Sequence, residues 1–300
     1  MTTIVRRRQL LRPRVILMVI ANLLVTGFLV TPIFALVLGA IQTERSLVEN
    51  YMQIIPTEVT FQNFLVILFA RKDLLTDTGF YHVPPIVYQF MHTFRNSVII
   101  ATATTVINLV FGSMAAYAVA RLRQRWTQAF MYTNLASRMV PLIVLMIPLF
   151  ITLRRLGLLN SLAGIILTLS GFLLPYTIWI LHSFFVSLPH ELEDAARIDG
   201  CSRFGSFLRV VLPLSAPGLA AAGVIVFIIS WNEFLIPFIV TSKPEFYPVP
   251  VLVASLVTDF HVYWSLICAC ILMGLLPSVA LALLLQRYVV SGLTSGALKG

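Results

Sequence analysis

Acidic side chains are few in this sequence, twelve in 300 residues, and four of them crowd one short stretch: Glu191, Glu193, Asp194 and Asp199. That stretch belongs to the segment 189–217, PHELEDAARIDGCSRFGSFLRVVLPLSAP, a charged island between two long apolar runs. Carboxylates suit the first turns of a helix, where the dipole favours negative charge and Pro189 loses nothing by lacking an N–H. Leu192, Ala195 and Ala196 follow at i, i+3, i+4 spacing, which predicts one face small enough for another surface to approach closely. Gly200 stands where a residue of positive φ would end that helix. Phe204, Phe207, Leu208 and Val211 then predict a second apolar stripe, closed by Leu212 and Pro213. A capped interhelical loop would account for the acids. It does not account for two alanines, a glycine, and a Val-x-Leu-Pro beginning at Val210.

Elsewhere the chemistry thins out. His82, His92, His182, His190 and His261 are scattered, and Cys201, Cys268 and Cys270 have neither metal-ligand nor disulfide spacing. No G-x-x-x-x-G-K-[ST] phosphate loop and no H-E-x-x-H occurs. The sequence therefore predicts neither a cofactor nor a metal in this chain, and it disfavours an intramembrane enzyme.

The elements that must position the island are membrane spans. The chain is 59% hydrophobic and 11% charged, with a mean hydropathy of +0.93, far more apolar than a soluble domain. Its net charge of +9 clusters at the ends of apolar runs, which fits membrane orientation better than nucleic-acid binding. Six spans are expected, near 15–41, 96–120, 127–153, 162–186, 218–240 and 262–285, giving an all-α polytopic membrane protein. The first run is too long for a signal-peptide core and is read as an uncleaved span behind Arg6, Arg7, Arg8, Arg12 and Arg14. Gly112, Ser113, Ala115 and Ala116 predict close helix packing in the second. The organisation that follows is a basic N-terminus at 1–14, a spanning domain at 15–286 and a tail at 287–300. Within it lie an outer loop at 42–95 and an inner loop at 187–217.

Outside the spans, thirteen Lys and Arg fall on the side of the termini and island, against seven opposite. The bias puts the island and both termini in the cytoplasm, with Arg154 and Arg155 dissenting. In the outer loop, Phe61, Phe64, Leu65 and Leu68 have helical spacing, followed by Tyr81, His82, Pro84, Pro85 and Tyr88. A helix lying on the bilayer and a docking surface for an external partner are both compatible with that pattern. Arg138 and Glu233 are the charges nearest membrane depth. Arg138 either faces the bundle interior or snorkels to the inner interface. Glu233, with Asn232, either lines a translocation path or sits at the outer interface beside Trp231 as an anchor.

The island resembles the EAA signature of ATP-binding-cassette import permeases: Glu-Ala-Ala, three residues, Gly, nine residues, Ile-x-Leu-Pro. Here Asp194, Ala195, Ala196, Gly200, Val210, Leu212 and Pro213 fill it, with Asp194 in place of the usual Glu and Glu193 adjacent. The segments RLGLLNSLAGIIL, LPYTIWILHSFFVSLPHELEDAARIDG, SWNEFL and QRYVVSGLTSGALKG are similar to the maltose-type, carbohydrate-importing subfamily, in particular its smaller six-span permease. The resemblance implies a prokaryotic inner-membrane subunit with a type I importer fold and several partners. These are a second homologous permease, two ATPase subunits carrying ATP and Mg, and an extracytoplasmic substrate-binding protein. It implies that Glu191, Glu193, Asp194, Ala195, Ala196, Gly200, Phe204, Leu212 and Pro213 form the coupling element that docks on the ATPase. Ser295, Gly296 and Lys299 of the tail would reach the same partner. The alternatives are a polyol or glycerol-phosphate importer of the same build and, from another class, an ATP-independent secondary transporter or channel. The absence of a visible internal repeat weakens the last.

Overall fold

The computed structural model describes residues 13–49, 56, 58–71, 74, 83–121, 125–259 and 261–297. Its long helices are α1 (Pro13–Ala40), α4 (Phe90–Arg121), α7 (Leu162–Ser187), α11 (Ala216–Asn232) and α14 (Trp264–Ala297). Between them lie α2 (Glu44–Glu49), α3 (Gln62–Phe69), α5 (Arg125–Ala136), α6 (Leu142–Arg155), α8 (Glu191–Ile198), α9 (Arg203–Ser206), α10 (Leu212–Leu214), α12 (Leu235–Val240) and α13 (Val249–Ser255). Among the described residues, four helical stretches are long and apolar enough to cross a membrane, and up to six if each bent pair counts as one span.

The third expected span is bent and the fifth is interrupted, and six spans remain where each bent pair counts as one. Where one span was expected at 127–153, the chain turns by 95° between 126–139 and 142–155. Val140 is extended there (φ −74, ψ 118), the conformation that a following Pro141 imposes. Ahead of the fifth, the island runs on through a π-helical turn, Phe207–Val211, and meets α11 at a 77° bend. That helix stops at Asn232, and Glu233 (ψ 126) separates it from α12.

The chain divides into two compact units. The first holds residues 1–88 and 256–273. Here α1 leaves most of its apolar surface exposed (Phe28 79%), and the side-chain amide of Asn63 donates to the carbonyls of Ala40 (2.9 Å) and Gln42 (2.8 Å). The buried face of α3 is Asn63, Val66 and Ile67, while Phe61 and Leu65 point outward. Phe64 and Leu68 of the expected stripe are half-buried between these two faces. Tyr81 and His82 lie outside the described residues.

The second unit holds residues 89–255 and 274–300. Its core joins α4, α7, the π turn and α11 through Ala116, Ile178, Leu181, Phe185, Phe207 and Ala222. Gly112 permits the α4–α7 contact: a Cβ there would stand 2.7 Å from Cγ2 of Thr177. Trp231 is not an interfacial anchor. It is 3% exposed and donates its indole N–H to the Gly274 carbonyl at 2.8 Å, because a buried indole needs a partner. Helix α14 continues to Ala297, so the backbone stays helical across the expected start of the tail at 287, and Ser295 and Gly296 are on it. Lys299 and Arg6, Arg7, Arg8 and Arg12 lie outside the described residues.

Candidate functional site

The island folds as the short helices α8, α9 and α10 with a π turn before α10, and α8 is set against the end of α4. Pro189 and His190 lead into α8, whose first turn carries Glu191, Glu193 and Asp194. The helix ends in a Schellman turn. The Gly200 N–H bonds the Arg197 carbonyl (3.1 Å) and the Cys201 N–H bonds that of Ala196 (3.0 Å), with Gly200 at φ +89, as the sequence requires. The hydroxyl of Ser202 then caps α9 by accepting from the Gly205 N–H at 3.1 Å.

The two faces of α8 differ from the sequence expectation. Glu193 and Ala196 are buried, while Leu192 (42%), Ala195 and Ile198 (86%) are exposed together with Glu191 and Asp194. Ala195 and Ala196 therefore part company: one faces solvent, the other lets the helix settle on the bundle. Likewise, Phe207 and Val211 are buried, whereas Phe204 (56%) and Leu208 (45%) face out. Leu212 packs against the core of the second unit, and Pro213 lies in α10. Two apolar stripes expected from the spacing are thus each divided between inside and outside.

Glu193 shows why α8 turns this way. Its Oε1 is ion-paired with the Arg121 guanidinium, and its Oε2 accepts from the Tyr117 hydroxyl at 2.8 Å. Arg121 also approaches His190 Nε2 and donates to the Leu188 carbonyl, both at 3.3 Å. Tyr117 and Arg121 are one turn apart on α4 and so share a face. A carboxylate this enclosed is stable only when paired and hydrogen-bonded. Sequence reasoning missed both partners. Arg121 reads only as the basic end of an apolar span, and nothing in a single sequence links it to an acid 72 positions on.

The intramembrane candidates have been drawn into the fold. Arg138 donates to the Phe172 carbonyl at 2.6 Å, with its guanidinium 4.5 Å from the Phe172 ring centroid. Asn134 donates to the Pro175 carbonyl at 2.9 Å. Both acceptors lie on α7 within one turn of Pro175, which stays inside a continuous helix. The Glu233 carboxylate accepts from the Leu235 (3.0 Å) and Ile236 (3.3 Å) N–H groups and so opens α12. Asn232 bonds back to the Ile228 carbonyl at 2.8 Å. Among the described residues no bond joins Arg138 to Glu233, and no group of His, Cys, Asp and Glu could hold a metal ion.

Residues 108–294 match the family described as "Binding-protein-dependent transport system inner membrane component". The chain belongs to that family. Its relatives include the trehalose transport system permease protein SugB of Mycobacterium tuberculosis, 34% identical over 94% of this chain and 96% of that one. Another is the arabinooligosaccharides transport system permease protein AraQ of Halalkalibacterium halodurans, 32% identical over 90% and 91% of the two chains. The fold matches a solved bacterial ABC transporter involved in the import of the acidic polysaccharide alginate. The TM-score is 0.72 at 21% identity, covering 91% of this chain and 96% of that chain. The chain is thus an inner-membrane permease component of a binding-protein-dependent transport system, and the matched residues contain α8, its Arg121 partner and both bent helix pairs.

Proposed function

We propose that this permease forms half of the translocation path of an ATP-driven, binding-protein-dependent sugar importer, with α8 as the element that docks on a separate ATPase. The observation that carries the docking role is the orientation of α8. With Glu193 turned inward and engaged, Asp194 and Ala195 are left facing out, and the small Ala195 side chain permits close approach. Asp194, not Glu193, is then the acid offered to the partner. The sugar substrate is supported by relatives whose names specify trehalose and arabinooligosaccharides.

The assembly has a second, homologous permease, two ATPase subunits that hold ATP and Mg, and an extracytoplasmic binding protein. The segment 187–217 and both termini face the cytoplasm, with 42–95 outside, as the arginine asymmetry requires. Helix α14 carries Ser295 and Gly296 toward the ATPase, and Lys299 follows them. Arg138, Asn232 and Glu233 border the path. Glu233 does so at the break between α11 and α12, and Arg138 does so beside Pro175, which lies inside the continuous α7.

Co-purification and hydrolysis test the docking. Ala195→Asp puts a bulky charge on the close-approach face, and the complex should lose its ATPase or its coupled ATP hydrolysis. Normal assembly and hydrolysis would remove α8 from that role. Single cysteines at Val59 (59% exposed) and Ile198 (86% exposed), in an otherwise cysteine-free chain, should label from outside and inside respectively. A ligand screen on the co-purifying binding protein names the solute, and a polyol or phosphate ester there would replace the sugar reading.

A further inference from the structure

Docking alone does not move a span. Between α7 and α8 lie only Leu188, Pro189 and His190, with Leu188 extended at ψ 132. On such a strap a short helix pushed from outside would swing, and the motion would be lost. Three bonds oppose that swing. Arg121 at the end of α4 pairs with Glu193 on α8 and donates to the Leu188 carbonyl where α7 ends. Tyr117, one turn earlier on α4, holds the other Glu193 oxygen. The Tyr117 ring also lies 4.7 Å from the Phe207 ring and 6.3 Å from that of Phe185. The charged side chains are only 9% and 11% exposed, so bulk water and salt screen the pair little.

We infer that Arg121, Glu193 and Tyr117 form a clamp that makes α8 and the inner ends of α4 and α7 move as one body. They are positioning residues, not contacts to a partner. The inference rests on the reading of α8 as the docking element, but the α4–α8 distance that tests it does not. Because α4 packs along both α7 and α11, a clamped α8 delivers displacement to the helices that line the core. An unclamped α8 delivers it to the strap.

The test uses the full permease in its reconstituted complex. Spin labels go at Arg197 on α8 and at Phe111 (57% exposed) on α4, with Cys201, Cys268 and Cys270 replaced. In the wild type the α4–α8 distance should form one narrow population, shifting by no more than about 2 Å between nucleotide-free and Mg-ATP states. Glu193→Gln and Arg121→Gln should each broaden or split that population, retain the ATPase, and lower Mg-ATP hydrolysis about tenfold. The double variant should be no worse than the worse single one, because both remove one interaction. Two unrelated structural roles would instead multiply. A wild-type distance distribution in both single variants, or multiplied losses in the double, overturns the clamp. Should Glu193→Gln fail to assemble, Glu193→Asp, one methylene shorter, gives the same choice: broadening supports the clamp and a wild-type distribution sinks it. Failure of the docking reading shows separately, as an Ala195→Asp complex that keeps its ATPase and hydrolysis whatever the α4–α8 distance does.

Discussion

Two buried carboxylates on short helices, one in each unit, are neutralised in opposite ways. Glu44, 1% exposed in the first unit, caps the start of α14. Its Oε1 accepts from the Trp264 N–H (3.0 Å), and its Oε2 from the N–H and hydroxyl of Ser265 (both 2.8 Å). His261 Nε2 stands 3.4 Å from Oε1. Glu193, in the second unit, relies instead on the Arg121 side chain. The partners of Glu44 are mostly backbone and the fixed positive end of a helix dipole. The partner of Glu193 is itself a charge that needs an answer. One arrangement fixes a helix start, while the other makes two elements depend on each other.

The comparison predicts unequal damage. Glu193→Ala strands the Arg121 guanidinium in a buried site and should cost about 3–5 kcal/mol, read as the largest fall in thermal unfolding temperature of the detergent-purified chain. Arg121→Ala should fall in the same range. Glu44→Ala leaves two backbone N–H groups and the Ser265 hydroxyl without an acceptor and His261 without its neighbour, but abandons no guanidinium, and should cost about 1–3 kcal/mol. Glu44→Gln, whose amide oxygen can still accept, should cost less than Glu44→Ala. If Glu44→Ala proves as damaging as Glu193→Ala, the distinction between a dipole-held and a cation-held carboxylate is wrong for this protein.

The sequence made some of this legible, and physics explains which parts. Apolar length located the spans, because bilayer thickness fixes how many residues a helix needs. The Gly200 turn was legible because few residues tolerate its φ of +89. The facing of α8 was not. Leu192, Ala195 and Ala196 promised an apolar face, yet the ion pair to Arg121 rotates Glu193 inward and leaves Leu192 in the open. Pairings across the fold leave no trace in local spacing. The same limit hid the capping role of Glu233 and the bond from Arg138 to Phe172. Trp231 misled for a related reason: an indole is as well suited to a buried carbonyl as to an interface.

Gly200 sharpens the comparison from the other end of α8, where no charge is involved. A Cβ there meets nothing within 4 Å, so the penalty for Gly200→Val is backbone strain alone, about 1–2 kcal/mol. Stability should fall less than in Glu193→Ala. Coupled ATP hydrolysis in the complex should still drop, since the turn aims α8. Gly200→Val with wild-type hydrolysis would show that the turn serves folding only.

The smallest effect is expected from Tyr117→Phe. The ring is retained, so its packing on Phe207 and Phe185 survives and no cavity forms. What disappears is one hydroxyl donor to Glu193 Oε2. The carboxylate stays paired with Arg121, so no charge is abandoned, and the loss should be about 1 kcal/mol. The informative measurement is the double variant. If the hydroxyl acts only through Glu193, then adding Tyr117→Phe to Glu193→Ala should cost nothing further, because residues sharing one partner are not additive. The hydroxyl also has a long contact with the Arg203 carbonyl, 3.4 Å, which survives in Glu193→Ala. A full additional 1 kcal/mol in the double variant would therefore assign the hydroxyl to α9 instead, and the carboxylate of Glu193 would be held by Arg121 alone.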